Sequence, residues 1–362
     1  MASAASWNEE EETSLELVRS FPGRVALVEA DGTLHIGRNY DVLRSTDAGV
    51  TWEHVTRFPR SPLRRAAEVS RLACRLLRQE VRALLRLSGG EYVAANREGV
   101  FYGVAGDHVF RAAAVEEGAL PLRPPMRLCV GPDDTVLFGE YGSSKAGKDV
   151  RLFGSRDGGA GYELVHTFPA GEIGHVHNIV YDASEGHYWV MVGDHGPHAG
   201  IGKLSADLQR FEWFVRGDQS FRAVEVFDLG GYLLYANDTE VERNGLIELD
   251  KKTGAARRIR EFDGSCIYAC RFGGLYAFST SVEPSEVNLS KFGSLWLSRD
   301  GYDWRRAFRA RKDRWSARYF QFGSIVLPAG ASNDETIYFS GQALSSIDGR
   351  TYVARLTPEA GL

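Results

Sequence analysis

The sequence predicts an all-β protein of repeated four-stranded units, and three observations carry that prediction. Glycine supplies 40 of the 362 residues and Phe plus Tyr another 34, a composition of short strands and tight turns. A short element that opens on serine recurs at positions 45, 155, 205, 298 and 346, with a vestige counted from about Glu248. The steps between copies are 110, 50, 43, 50 and 48 residues, and the long first step holds two repeats. Strand-rich units of ~40–50 residues are the signature of a β-propeller, in which each blade is one four-stranded sheet. Seven blades fit the spacing best, with six as the alternative.

The repeats justify themselves in order. Ser45–Trp52 reads S-x-D-x-G-x-T-W. Ser155-Arg156-Asp157-Gly158-Gly159 with Tyr162 keeps its first half and closes on an aromatic, while Ser298–Gly301 with Trp304 is one residue shorter. Ser346–Gly349 with Tyr352 has the same shortened form. Weaker copies lie at Ser205, Asp207 and Trp213, at Asp250–Gly254 and near Asp107. In each, Asp and Ser can satisfy turn amides and Gly can take positive φ. Inner strands are expected at Arg24–Ala30, Val81–Leu87, Met126–Val130, Asn178–Tyr181, Phe221–Val226, Cys266–Cys270 and Gly323–Leu327. Residues 1–12 are expected to be a disordered acidic arm, and 13–362 a single propeller domain.

One stretch breaks the pattern and accounts for the long step. From 63 to 86, apolar residues at 72, 73, 76, 77, 81, 84 and 85 follow a helical period, so a helical insertion is expected between blades one and two. Residues 57–86 carry nine arginines and two glutamates. Such a helix packs on the propeller flank with its arginines paired or solvated, or rests on an anionic surface or partner.

The Ser45–Trp52 element resembles the Asp-box, or bacterial neuraminidase repeat, of sialidase-like β-propellers. That resemblance implies a propeller in which the box is a structural turn between the two outer strands of a blade, away from the active site. Asp47, Asp157, Asp300 and Asp348 are accordingly read as turn residues. The family's F/Y-R-I-P element before the first box is replaced here by Ser20-Phe21-Pro22-Gly23-Arg24.

Composition narrows the function. A net charge of −5 argues against nucleic acid as a general partner, and no apolar run reaches the ~20 residues of a spanning helix. The acidic start MASAASWNEEEETS is unlike a secretory signal. The four cysteines (Cys74, Cys129, Cys266 and Cys270) form no CxxC pair, so a reducing cytoplasm is expected. No dinucleotide fingerprint, P-loop, HExxH or GxSxG stands in a supporting context, so no nucleotide cofactor is expected.

Propeller geometry places the ends of second strands and the starts of inner strands at one mouth of the channel. That mouth collects Arg38, Tyr40, Arg97, Glu140, Tyr141, Asn237, Asp238, Glu240, Arg318 and Gln321 as substrate-binding candidates. His175, His177, Arg222 and Tyr319 are the catalytic candidates. Five of the nine histidines fall between 175 and 198, and His175 and His177 would share one strand face. With His195 and Gln219 they can ligate a divalent metal (Mn, Zn or Ca), or they can act as a metal-free base pair. The set is similar in residue types to the three-His-plus-Gln manganese site of propeller oligogalacturonate lyases. That similarity implies β-elimination from a uronate-containing acidic saccharide, with Arg neutralising the carboxylate and His and Tyr moving protons. The alternatives are a non-catalytic propeller that binds protein or glycan, and a sialidase-like glycosidase.

Overall fold

The computed structural model describes residues 13–357 except 105, 117–122, 143–146 and 194–195. The acidic arm 1–12 and His195 therefore lie outside the described residues. Strands follow one another in groups of four, each pairing antiparallel with the next. The first group is Arg24–Val28, Leu34–Arg38, Asp41–Ser45 and Glu53–Arg57. Further groups span 83–112, 129–168, 175–216, 227–262 and 265–311. The last comprises Gly323–Val326, Ile337–Gln342 and Arg350–Leu356, and its outermost strand is Leu15–Pro22 from the other end of the chain. Leu15 pairs with Leu356 and Pro22 with Arg350, so the ring of sheets is closed by a sheet built from both termini.

The core lies between sheets. One cluster joins Tyr40 and Val42 of the first group to Leu84, Ala94 and Phe101 of the second, and another joins Val93 and Val100 to Phe138 and Phe153 of the third. The same holds around the ring to the cluster that joins Phe272, Leu297 and Phe339 to Val25 and Leu34. Each sheet buries both faces on its neighbours, and a closed cycle of face-packed sheets is a β-propeller.

The serine elements end the third strand of their blades: Ser45, Ser155, Ser205 and Ser298 each close a strand. Asp47 accepts from Ser45 Oγ at 2.7 Å, from Val50 N at 3.0 Å and from Thr51 N at 2.9 Å. Those bonds hold its carboxyl well below the usual range. Asp157 and Asp300 repeat the arrangement. Gly49 has φ 83° and a Cβ there would fall 2.2 Å from the ring of Phe21, which packs edge-on against Trp52 at 4.7 Å. The expectation for Asp348 is corrected. Ser346–Gly349 lies between the second and third strands of the last blade, and Asp348 receives Arg71 through two 3.0 Å bonds and Ala343 N at 2.7 Å. The last blade has no third-to-fourth turn, because its fourth strand arrives from the N-terminus.

The helical insertion is also corrected in extent and place. Two six-residue helices form, α1 (Pro62–Ala67) and α2 (Arg71–Leu76), capped by Ser61 and Ser70, and residues 83–86 are strand. The helices sit over the channel mouth rather than on the flank. Arg75, 2% exposed, donates to the Phe320 carbonyl and, at 2.5 Å, to Asp313. It thereby ties α2 to the short helix α3 (Ala317–Phe320), which precedes the last blade. Arg60, Arg64, Arg71 and Arg86 also pair with the protein's own carboxylates, so much of the basic face is neutralised internally. In the fifth blade the inner strand is Phe227–Asp228 instead of 221–226, because Gln219–Phe221 forms a 3₁₀ turn capped by Asp218.

Candidate functional site

The inner strand of the fourth blade, His175–Asp182, carries a bulge between Val176 and Asn178, and the first and sixth blades bulge at the equivalent step. A bulge re-aims the extra residue, here His177. The imidazoles of His175 and His177 lie with ring centres 4.8 Å apart. A Cβ on Gly193, the partner of His175 across the ladder, would meet His177 Nε2 at 2.1 Å and His175 Nε2 at 2.6 Å. Only glycine lets both rings close over this point.

His177 Nδ1 donates to the Ala223 carbonyl at 2.8 Å, because a carbonyl can only accept. Its Nε2 therefore carries the lone pair, and it faces Asp238 Oδ2 at 3.9 Å. Burial and the neighbouring Arg222 lower its pKa to about 3, so the ring is neutral at ordinary pH. Arg222 approaches Asp238 Oδ2 at 3.9 Å. Its Nε and Nη1 are buried and, among the described residues, have no acceptor. Burial raises the Asp238 pKa against the pull of Arg222. Glu283 is raised to about 8 by burial, then by Asp238 and Glu240. Like charges in one low-dielectric space share protons in this way. Burial and the same two carboxyls, Asp238 and Glu283, raise Tyr141 to about 12, and its ring meets His175 edge-on at 4.8 Å.

A polar frame fixes this cluster. Gln219 Oε1 accepts from Thr239 Oγ1 at 2.7 Å, Asn237 Nδ2 donates to the Gln219 carbonyl, and Asn237 Oδ1 accepts from Gly245 N. Asn244 and Asn288 hold Thr239 in turn. Beside the cluster opens a cavity of about 530 Å³, lined by Tyr141, Arg78, Arg82, Arg97, Arg318, Tyr319 and Gln321 among others.

The structure thus brings together His175, His177, Arg222, Asp238 and Tyr141, and sets Arg97, Arg318, Tyr319 and Gln321 around the cavity. Glu240 joins the field of Glu283. Several expectations are corrected. Tyr40 is fully buried against Phe58, a core residue. Glu140 is fully buried and held by Arg151 at 2.8 Å and Arg123 at 3.2 Å, so its charge is spent on structure. Asn237 and Gln219 belong to the frame, and Arg38 is exposed outside the cavity lining. Sequence reasoning missed Glu283, Arg78 and Arg82. The signal for Glu283 was present: it directly follows the second strand Leu275–Val282, as the acidic segment with Asp238 and Glu240 follows Tyr232–Ala236.

Among the described residues, one set of three metal-type side chains lies within mutual reach: Asp182, Glu185 and His187. Lys251 already sits 2.6 Å from Asp182, which also accepts from Trp189 at 2.9 Å, so this set is bound up in a buried ion pair. No described helix is long and apolar enough to cross a membrane.

The fold and site define a β-propeller with a charged mouth. No protein-family model and no curated protein matches the chain. Among solved structures it is similar to the extracellular domain of a hybrid two-component system from B. thetaiotaomicron, at 10% identity and TM-score 0.58, covering 97% of this chain and 44% of that one. A chain of the Mitotic Checkpoint Complex aligns at 9% identity and TM-score 0.56, over 98% and 96% of the two chains. An ancestral GH74 enzyme aligns at 11% identity and TM-score 0.51, over 95% and 47%. The chain spans less than half the length of the first and last of these. Likeness at this identity establishes the propeller fold.

Proposed function

We propose that this protein is a seven-bladed propeller of Asp-box type whose mouth binds an acidic, uronate-containing saccharide and cleaves it by β-elimination. The observation that carries the reading is Arg222: a buried guanidinium whose Nε and Nη1 have no acceptor among the described residues, set among groups that can give and take protons. A substrate carboxylate paired with Arg222 gives this guanidinium an acceptor and stabilises charge that develops when the adjacent carbon loses its proton. His177 Nε2, whose lone pair is fixed by the Ala223 bond, is placed to take that proton. The anionic carboxylate on Arg222 offsets one cause of the low basicity of His177. Glu283, protonated at neutral pH, is placed to protonate the departing glycosidic oxygen. One proton is taken and one given, and the C–O bond breaks as the C=C bond forms.

A second reading rests on a separate observation. Both imidazole Nε2 atoms converge beside Gly193, two residues before His195. The two imidazoles would then supply ligands to a divalent ion, giving Lewis acidity at the carboxylate. Elemental analysis of purified protein separates the two readings. Either requires uronate oligosaccharides to yield unsaturated products, read by ultraviolet absorbance, and requires Arg222→Leu to abolish them. Uronate oligosaccharides that bind without turnover leave a glycan-binding propeller, and hydrolysed products without unsaturation point to a glycosidase using Asp238 and Glu283.

A further inference from the structure

The cavity beside the cluster carries more positive charge than the reaction needs. Six arginines line it: Arg24, Arg78, Arg82, Arg97, Arg127 and Arg318. Arg24 is paired to Glu80 at 2.8 Å and Arg127 to Glu225 at 2.6 Å. Among the described residues, none of the other four has a carboxylate within ion-pair distance. Arg82 only donates to the Pro125 carbonyl at 3.3 Å and stands 5.9 Å over the Tyr141 ring. Arg318 lies 5.5 Å over Tyr319, which is 54% exposed. The lining carboxylate near them, Glu80, is already paired to Arg24, so positive charge stays in excess and favours an arriving anion.

Arg78 shows that the crowding is built in. It follows α2 with φ 52°, where the chain turns back through Arg78 N to Arg75 O at 3.0 Å and Gln79 N to Cys74 O at 2.8 Å. Glycine is the usual residue at such a helix end, and a side chain there costs roughly 1 kcal/mol. Burial lowers its proton affinity, and Arg97, Arg82 and Arg75 add to that while Glu80 opposes it. The segment that presents it is anchored by buried Arg75 to α3 and Asp313. Gln321 adds a different signal: 3% exposed, it donates to Glu80 at 2.8 Å while its buried Oε1 has no partner among the described residues. An acceptor left open beside free guanidinium groups calls for a ligand that carries hydroxyls as well as negative charge.

We infer that the cleft of Arg78, Arg82, Arg97 and Arg318 is a second anion subsite, so that the ligand is a saccharide with at least two acidic groups. One group meets Arg222, and the next is gripped across Tyr141 in the arginine cleft while a hydroxyl donates to Gln321. This rests on the reading of Arg222 given above. The second group is a carboxylate or a sulfate ester, both oxyanions that a guanidinium fork receives.

Calorimetry on the intact protein tests it with a monouronate, a linear tetrauronate and a sulfated oligosaccharide of the same length. The multiply charged ligand binds at least tenfold tighter than the monouronate, and its affinity falls more steeply with salt. In Arg78→Gly/Arg97→Ala that gain disappears. The variant is expected to fold, because glycine suits the left-handed position and Arg97 is exposed. Whichever oligosaccharide loses affinity in the variant identifies the anionic group. Equal affinity for single and multiple charges, or a gain that survives in the variant, overturns the subsite. Arg222→Leu keeps the two ideas apart. If it abolishes monouronate binding while no gain exists, the first reading stands alone. If the gain exists and Arg222→Leu changes nothing, the cleft stands and the first reading falls. No binding of any of the three removes both.

Discussion

Glu283→Gln should make the protein more stable and less active, with the stability gain confined to high pH. Glu283 is raised from 4.5 to about 8 by burial and by the nearby Asp238 and Glu240 carboxyls. The folded protein thus holds this proton more tightly than the unfolded chain does. Its contribution to stability is fully present below pH 4.5 and is lost as pH rises through about 8. At ~1.4 kcal/mol per pH unit the ceiling is ~5 kcal/mol. Asp238 shares the proton and Arg222 partly compensates the charge, so a measurable ~1–2 kcal/mol is expected. Glutamine keeps the shape and is neutral at every pH. Thermal unfolding at pH 5, 7 and 9 reads the effect directly: the melting points coincide at pH 5, and at pH 9 the variant melts a few degrees higher. Turnover, where the proposed chemistry holds, falls by at least ~10²-fold at pH 7 for want of an acid. A melting curve that shifts with pH equally in both proteins would refute the argument, because the strained charge would then lie elsewhere.

Other perturbations bear on the geometry. Gly193→Ala drives a methyl into both imidazoles, so ligand binding or turnover at the mouth drops by ~10²-fold while circular dichroism is unchanged; full retention would mean that the rings are not functional. Arg75→Ala leaves Asp313 without its 2.5 Å partner and frees α2 from α3. Because Asp313 keeps Lys312 as a partner, a loss of ~1–3 kcal/mol is expected in denaturant titration, with proteolysis beginning near residues 61–80. In wild-type protein, turnover declines as pH climbs through about 8, where the Glu283 proton leaves, and a pH–rate profile with no alkaline limb would exclude Glu283 as the acid.

Much of the architecture was legible because turn chemistry is local. Asp47, Asp157 and Asp300 bind amides within four residues of themselves, so their spacing reports the length of a blade. The same rule misled at Asp348, since two chain ends that meet in one sheet leave no sequence trace of their pairing. The helical period expected over 63–86 coincides with helix at 62–67 and 71–76, while Leu84 and Leu85 pair with Ala94 and Val93 in a strand. The site was legible where blade-equivalent positions hold unlike residues, as with His177 and Asp238. It was obscured where a charged side chain has a private partner: Glu140 looks the same as Glu283 in the sequence, and only the approach of Arg151 and Arg123 to the first separates them.

Charges at the mouth fall into two kinds. Glu140, Glu80 and Glu225 each hold an arginine within 3.2 Å, and such pairs fix loops and inner strands without remaining available. Arg222, Asp238 and Glu283 are held at longer range, their charges opposed by burial or by each other. Arg222 and Asp238 face each other only at 3.9 Å and Glu283 keeps its proton at neutral pH, so this cluster stabilises the fold less than close ion pairs would. Their juxtaposition, beside a neutral histidine whose tautomer is fixed and under a glycine that admits no side chain, is what the proposed anion site requires.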